Sequence, residues 1–227
     1  MFRRYAIYFT PPSGPLSDFG AAWLGWDMTT GAAAANPPIT GLPLPLSEIT
    51  QTPRKYGLHA TLKPPFALAA GTDTDQLAHR LETFCASRAP VTIPMLDLAQ
   101  LGRFLALVPA EPCPPLADLA AGAVRDFDGF RAPLSAAEMD RRRAGGLTEA
   151  QEANLLAWGY PHVMDAFRFH ITLSGKLPKN VTAQVRNALA PHLAPLLPAP
   201  FVIDALSLAG EAEDGMFHLI HRTALCG

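Results

Sequence analysis

The chain has 227 residues, 49% of them hydrophobic, enough to bury a sizeable core in one large or two small domains. Its 18 basic and 20 acidic residues leave a net charge of −2, which argues against the broad basic face of a protein that tracks long nucleic acid. Three widely spaced cysteines, Cys85, Cys113 and Cys226, form no C-x-x-C, so neither a disulfide framework nor a zinc knuckle is indicated.

The first element, residues 4–9, reads as a strand; the apolar run there ends at Pro11-Pro12, too short for a signal-peptide core or a membrane span. A short helix is expected over 16–26, then a Gly/Ala/Pro-rich loop from 30 to 45. After a strand around His59, Thr72-x-x-Asp75 opens a helix with Leu77, Leu81, Phe84 and Cys85 on one face. Segments 91–98 and 104–108 read as an antiparallel strand pair. Helical stretches follow near 116–127, 135–143 and 148–158, the last with Thr148 as N-cap and Gln151 at the capping-box position. Arg141-Arg142-Arg143 reads as a solvated basic helix end. A strand around His170, a helix over 180–192 and strands near 201–208 and 217–223 complete the pattern. His218 and His221 fall on that last strand, where their spacing suits packing better than a metal.

His59-Ala60-Thr61-Leu62 is nearly repeated half a chain later as His170-Ile171-Thr172-Leu173. With side chains alternating along a strand, His59, Thr61 and Lys63 share one face. By the same rule Arg168, His170, Thr172 and Ser174 share a face, with Phe167, Phe169, Ile171 and Leu173 opposite.

Paired motifs of this kind resemble those of the 2H phosphoesterase superfamily. The words Arg54-Lys55-Tyr56-Gly57-Leu58-His59-Ala60-Thr61-Leu62-Lys63-Pro64-Pro65-Phe66 and Phe167-Arg168-Phe169-His170-Ile171-Thr172-Leu173-Ser174-Gly175 are similar to one bacterial branch of it, a phosphonate-metabolism-associated family of unknown activity (DUF1045-like). The likeness runs from Arg4-Tyr5-Ala6-Ile7-Tyr8-Phe9 to Trp158-Gly159-Tyr160-Pro161. It implies an α+β fold in a single bilobal domain over 1–227, with two antiparallel sheet-plus-helix lobes related by a pseudo-twofold around a central cleft. Lobe one would span about 1–110 and lobe two about 161–227, with helices over 111–160 as an insertion or lid. The phosphonate link, and with it a ribosyl cyclic phosphate from carbon–phosphorus bond cleavage, is implied by the resemblance alone.

Histidine suits both proton transfers of phosphodiester hydrolysis because its ordinary pKa lies near 6.5. The expected activity is metal-independent opening of a small 2′,3′- or 1,2-cyclic phosphate, with His59 and His170 as general acid and base. Thr61 and Thr172 would donate hydrogen bonds to the non-bridging oxygens. Lys63, Arg168, Ser174, Tyr5, Tyr56 and Arg131 are the candidate substrate-binding residues, with Arg54, Tyr160 and Lys176 as further pocket candidates and, as the alternative to a solvated helix end, the Arg141-Arg142-Arg143 run reaching over the cleft to a second phosphate. No cofactor or metal is required. The expected partner is a small phosphorylated substrate, not long nucleic acid or a membrane, and the expected location is the cytoplasm. Alternatives are an RNA-end cyclic phosphodiesterase or ligase-type enzyme, and a non-catalytic accessory protein that binds a phosphorylated metabolite. The sequence leaves open the oligomeric state and which histidine is the acid.

Overall fold

Alternation along β1 (Arg4–Phe9) sorts its side chains between two faces. Tyr5, Ile7 and Phe9 enter the main core, while Ala6 and Tyr8 join a smaller apolar cluster with Trp26, Met28, Ala209 and Phe217. The computed structural model, which describes residues 2–227, carries this division across one large sheet. In chain order the elements after β1 are α1 (Pro15–Leu24), α2 (Leu46–Ile49), β2 (Ala60–Phe66), α3 (Thr74–Ala86), β3 (Val91–Ile93), β4 (Leu96–Leu101) and β5 (Phe104–Pro109). Then come α4 (Pro114–Asp126), α5 (Ala136–Arg143), α6 (Glu149–Trp158), β6 (Ile171–Thr172), α7 (Lys179–Leu193), β7 (Phe201–Ile203), β8 (Ala205–Glu211) and β9 (Phe217–Ala224).

Seven strands pair antiparallel in the order β4-β5-β6-β2-β1-β8-β9, and β3 pairs with β7 in a separate ribbon. The α+β class with antiparallel sheets is as expected. About the β2–β6 boundary the order is nearly palindromic, the motif strands β2 and β6 lying side by side and flanked by β1 and β5. The strands of the two sequence halves interleave, however. β6 inserts between β5 and β2, and β8 and β9 extend the sheet beyond β1. The two halves of the sheet therefore do not follow the boundaries expected at 1–110 and 161–227, because pairing between distant strands leaves no local signal in the sequence.

Two of the expected strands divide. Residues 91–98 break around Pro94, which has no N–H for a ladder, and 201–208 break at Asp204; the short leading pieces β3 and β7 then find each other. The N-cap of α3 is Asp73 rather than Thr72: Asp73 Oδ1 accepts from the Gln76 amide at 2.8 Å and the Gln76 side chain accepts from the Asp73 amide. Thr72 instead donates to the Ala69 carbonyl. The Thr148/Gln151 box opens α6 as expected.

Helices α3, α4 and α7 cover the core face, contributing Leu77, Leu81 and Phe84, Leu116 and Leu119, and Val185 and Leu189. Trp23 of α1 donates from Nε1 to the Leu173 carbonyl at 2.7 Å, tying that helix to the second motif. Gly20 ties α1 to the first motif: a Cβ there would fall 2.3 Å from Leu58 Cδ2, so only glycine lets Leu58 seat beside His59. All three cysteines are free thiols, and burial pushes that of Cys85 up to about 11. Among the described residues no helix is long and apolar enough to cross a membrane, and no group of three or more His, Cys, Asp or Glu could hold a metal. His221 lies 3.3 Å from Glu82 and His218 packs on Trp26.

Candidate active site

The two motifs meet at one cross-strand pair, Ala60 on β2 opposite Ile171 on β6. Both side chains are buried in the main core. Their neighbours on either side project to the other face, so His59, Thr61, His170 and Thr172 form one four-residue patch on it. Antiparallel register sets each histidine opposite the other motif's threonine, where Cβ atoms stand ~5 Å apart.

The two imidazoles are held in the same way. His59 Nδ1 lies 2.9 Å from the Gly57 carbonyl and His170 Nδ1 lies 2.7 Å from the Arg168 carbonyl. A carbonyl only accepts, so each Nδ1 carries the hydrogen, and in the neutral ring Nε2 is left as the free base. Gly57 presents its carbonyl from φ +67, a left-handed conformation suited to glycine, and a Cβ there would press on Met28 at 3.0 Å.

Their surroundings differ. His59 is only 9% exposed, with the Tyr8 ring centroid 4.1 Å away and that of Tyr56 at 5.5 Å. Burial, with a smaller contribution from the charge of His170, lowers its pKa to about 4, against the Gly57 carbonyl, which raises it. His170 is more open to solvent, its ring 5.9 Å from Phe104. The unfolded chain therefore protonates His59 near 6.5 and the folded one near 4, and stability is lost as pH falls across that window. At about 1.4 kcal/mol per pH unit the loss is on the order of 3 kcal/mol. Urea unfolding of the wild type and His59→Gln at pH 7 and pH 4 checks this. The stability difference between them should shift by that amount, and an unchanged difference would mean that folded His59 takes up its proton normally.

Among the expected binding residues, Tyr56 lies in the site, its ring tilted against those of His59 and Phe217. Lys63 does not. Thr61 pairs with Tyr8 of β1 but Lys63 pairs with Ile7, so an extra residue, Leu62, bulges between them and turns Lys63 to the core side. There, 2% exposed, it donates to the Val124 carbonyl at the end of α4 (2.9 Å) and to Asp128 (3.3 Å). Arg131 holds the same carboxylate with two guanidinium nitrogens, at 2.8 and 3.2 Å, so it too is committed to structure.

Tyr5 faces the main core and hydrogen-bonds Thr74 at 2.7 Å. Ser174 is buried, accepting from the Leu105 amide and donating to the Gly175 carbonyl, because the chain leaves the strand after Thr172. Arg168 folds back onto the Asp165 and Phe167 carbonyls at the surface. Arg54 braces α1 and α2 through the carbonyls of Leu24 and Ser47, and Lys176 is exposed.

Tyr8 was missed. It sits directly opposite Thr61 and beside His59, and its buried hydroxyl has no hydrogen-bond partner. The alternation that puts Tyr5 in the core puts Tyr8 in the site, and that signal was present in the first strand. Arg4, on the same face of β1, is held by both oxygens of Glu211.

Comparison with known proteins places this geometry. Residues 61–218 match the family described as "Protein of unknown function (DUF1045)", and the chain belongs to it. Over 218 residues it is 37% identical to a protein of Janthinobacterium sp. (strain Marseille) named ribose 1,5-bisphosphate phosphokinase PhnN, covering 93% of this chain and 48% of that protein. It is 34% identical over 224 residues to the protein of the same name from Laribacter hongkongensis (strain HLHK9), covering 93% and 49%. The chain thus spans about half the length of these curated relatives. Similar solved structures include a phosphoesterase (TM-score 0.46, 16% identity, both chains covered completely) and E. coli LigT complexed with phosphate (TM-score 0.45, 15% identity, 100% and 99% covered).

Proposed function

We propose that this protein is a 2H-type phosphoesterase that hydrolyses small cyclic phosphates. The reading is carried by the matched pair of imidazoles: both are fixed through Nδ1 to the carbonyl two residues earlier, and both offer Nε2 beside the other motif's threonine. In the proposed reaction His59, buried and neutral, removes a proton from water through Nε2. The resulting oxygen attacks phosphorus, the bond from phosphorus to the ring oxygen breaks, and His170, reached from solvent and entering the step with Nε2 protonated, gives the departing ring oxygen that proton. The hydroxyls of Thr61 and Thr172, with that of Tyr8, donate to the non-bridging oxygens as charge builds. The threonines and Tyr56 bind substrate in this scheme. Lys63, Arg131, Tyr5 and Ser174 serve the fold instead.

The phosphokinase activity in the relatives' names is said of proteins twice this length, and no G-x-x-x-x-G-K-[ST] phosphate loop occurs in this sequence. The phosphorylated ribose in those names nonetheless makes ribosyl cyclic phosphates the first substrates to try. The test is turnover of 2′,3′-cyclic nucleotides and ribose 1,2-cyclic phosphate in EDTA. Hydrolysis with a bell-shaped pH profile is expected. Tight binding of these compounds without turnover would replace this reading with a non-catalytic binding role, and activity abolished by EDTA would replace the two-histidine mechanism.

A further inference from the structure

The basic run at the end of α5 is not uniformly a solvated helix end. Arg141 lies against Glu138 and Arg143 against Glu152, both at the surface. Arg142 turns inward. Its Cζ stands 5.1 Å from the centre of the Tyr160 ring, and its Nε is buried with no hydrogen-bond partner. Among the described residues no carboxylate forms a salt bridge with it. A buried guanidinium N–H without an acceptor is costly, which is why such groups are nearly always satisfied.

The position of this cation gives the missing acceptor a chemistry. Tyr160 is close enough to Tyr8 and Tyr56, the two rings beside His59, for their ionisations to be coupled. Burial is what chiefly destabilises the charge of Arg142, and Arg4 lies close enough to add to it. Arg4 and Tyr8 share one face of β1, four residues and therefore ~13 Å apart. The Arg142–Tyr160 pair thus lies near the face that carries Tyr8 and Arg4. Arg4 is already neutralised by Glu211 and Lys55 lies over the Tyr56 ring, so among these cations Arg142 is the one with a buried N–H that lacks an acceptor.

Resting on the cyclic-phosphate reading of the cleft, we propose that Arg142 forms a second anion subsite which takes a terminal phosphate remote from the cyclic one. The preferred substrates are then cyclic phosphates that carry a second phosphate group. The planar guanidinium fork, steadied by stacking on Tyr160, matches two phosphate oxygens at once. The insertion helix α5 has in this way a specific task, which is to measure the far end of the substrate.

The experiment compares 2′,3′-cyclic AMP with the same nucleotide phosphorylated at its 5′ position. For each, kcat/KM is measured with wild type, Arg142→Gln and Arg142→Lys, and calorimetric binding is measured with and without the Arg142→Gln change in a background where both histidines are alanine. Wild type should favour the doubly phosphorylated compound by roughly tenfold or more, the scale of one charge-assisted contact. That ratio should fall toward one in Arg142→Gln and recover in part in Arg142→Lys. A ratio near one in wild type, or one that survives in Arg142→Gln, overturns the proposal. If neither compound is turned over, the phosphodiesterase reading has failed, and the isotherms still decide the subsite. Tighter binding of the doubly phosphorylated compound that is lost in Arg142→Gln supports it, and equal or absent binding overturns it.

Discussion

Alanine at either His59 or His170 should lower kcat for the proposed cyclic phosphate hydrolysis by ~10²–10⁴-fold, the usual contribution of one positioned proton-transfer group. The doubly substituted enzyme should be only a little slower than the slower single variant, because base and acid act in one transition state and their losses do not add. The two variants should differ in their pH profiles. Removing His59 abolishes the acid-side limb, since the wild-type rate rises as that buried imidazole, lowered to about 4, becomes neutral and able to accept a proton. His170→Ala should keep the acid-side limb set by His59. Comparing kcat against pH for wild type and both variants checks the roles. Retention of the acid-side limb in His59→Ala would exchange them, and wild-type rates in either variant would end the two-histidine mechanism. Thermal melts of the same samples separate lost chemistry from lost fold, a distinction that matters for His59 because Tyr8 packs on its ring.

Asp128→Ala should be the most damaging substitution for stability outside the apolar core. Its carboxylate stands between the Lys63 ammonium and the Arg131 guanidinium. Burial lowers the Lys63 pKa to about 8, with Asp128 opposing that shift. Without the carboxylate a buried ammonium is left with the Val124 carbonyl alone, a situation that costs ~3–5 kcal/mol in comparable buried pairs. Adding Lys63→Met should recover most of the loss, because an apolar side chain of similar volume needs no partner. Urea unfolding of the single and double variants measures both steps. A loss below about 1 kcal/mol for Asp128→Ala would show the lysine reaching water instead. Activity is a second readout: Lys63→Met alone should retain kcat/KM, since the residue faces away from the cleft.

Lys63 also illustrates where reading the sequence stops. Strict alternation puts it beside His59 and Thr61, and one bulge at Leu62 reverses it; nothing within the strand's own sequence marks that bulge, because it exists only in register with β1. Ser174 fails for a related reason, since β6 is only two residues long and the chain has left the strand before reaching it. The histidines and threonines were legible because a residue next to a paired core position needs no knowledge of distant register. Tyr8 was equally legible from the alternation of β1. The Arg141–Arg143 run offered a second-phosphate contact as an alternative, but not which arginine, as the two neighbours of Arg142 are solvated and its direction depends on Tyr160, which follows the next helix. The α+β class followed from the order of elements, whereas the interleaving of strands depends on pairings that cross the whole chain.

That interleaving governs the order of assembly. β1 lies beside β8, joined at its beginning by Arg4 and Glu211, 207 residues apart in the chain, and the β2 edge waits for β6. During synthesis the β1–β2 pair therefore emerges long before β8 and β6, which flank it on either side, exist, with unpaired N–H and C=O groups along both its edges. Closing such distant pairs is slow, since the entropy of a long loop must be overcome before any contact repays it. The two imidazoles become neighbours only late in folding. A chain cut between its two motifs would yield fragments with open sheet edges rather than two independent lobes, so swapping one motif for that of a relative means exchanging strands from both halves of this chain together.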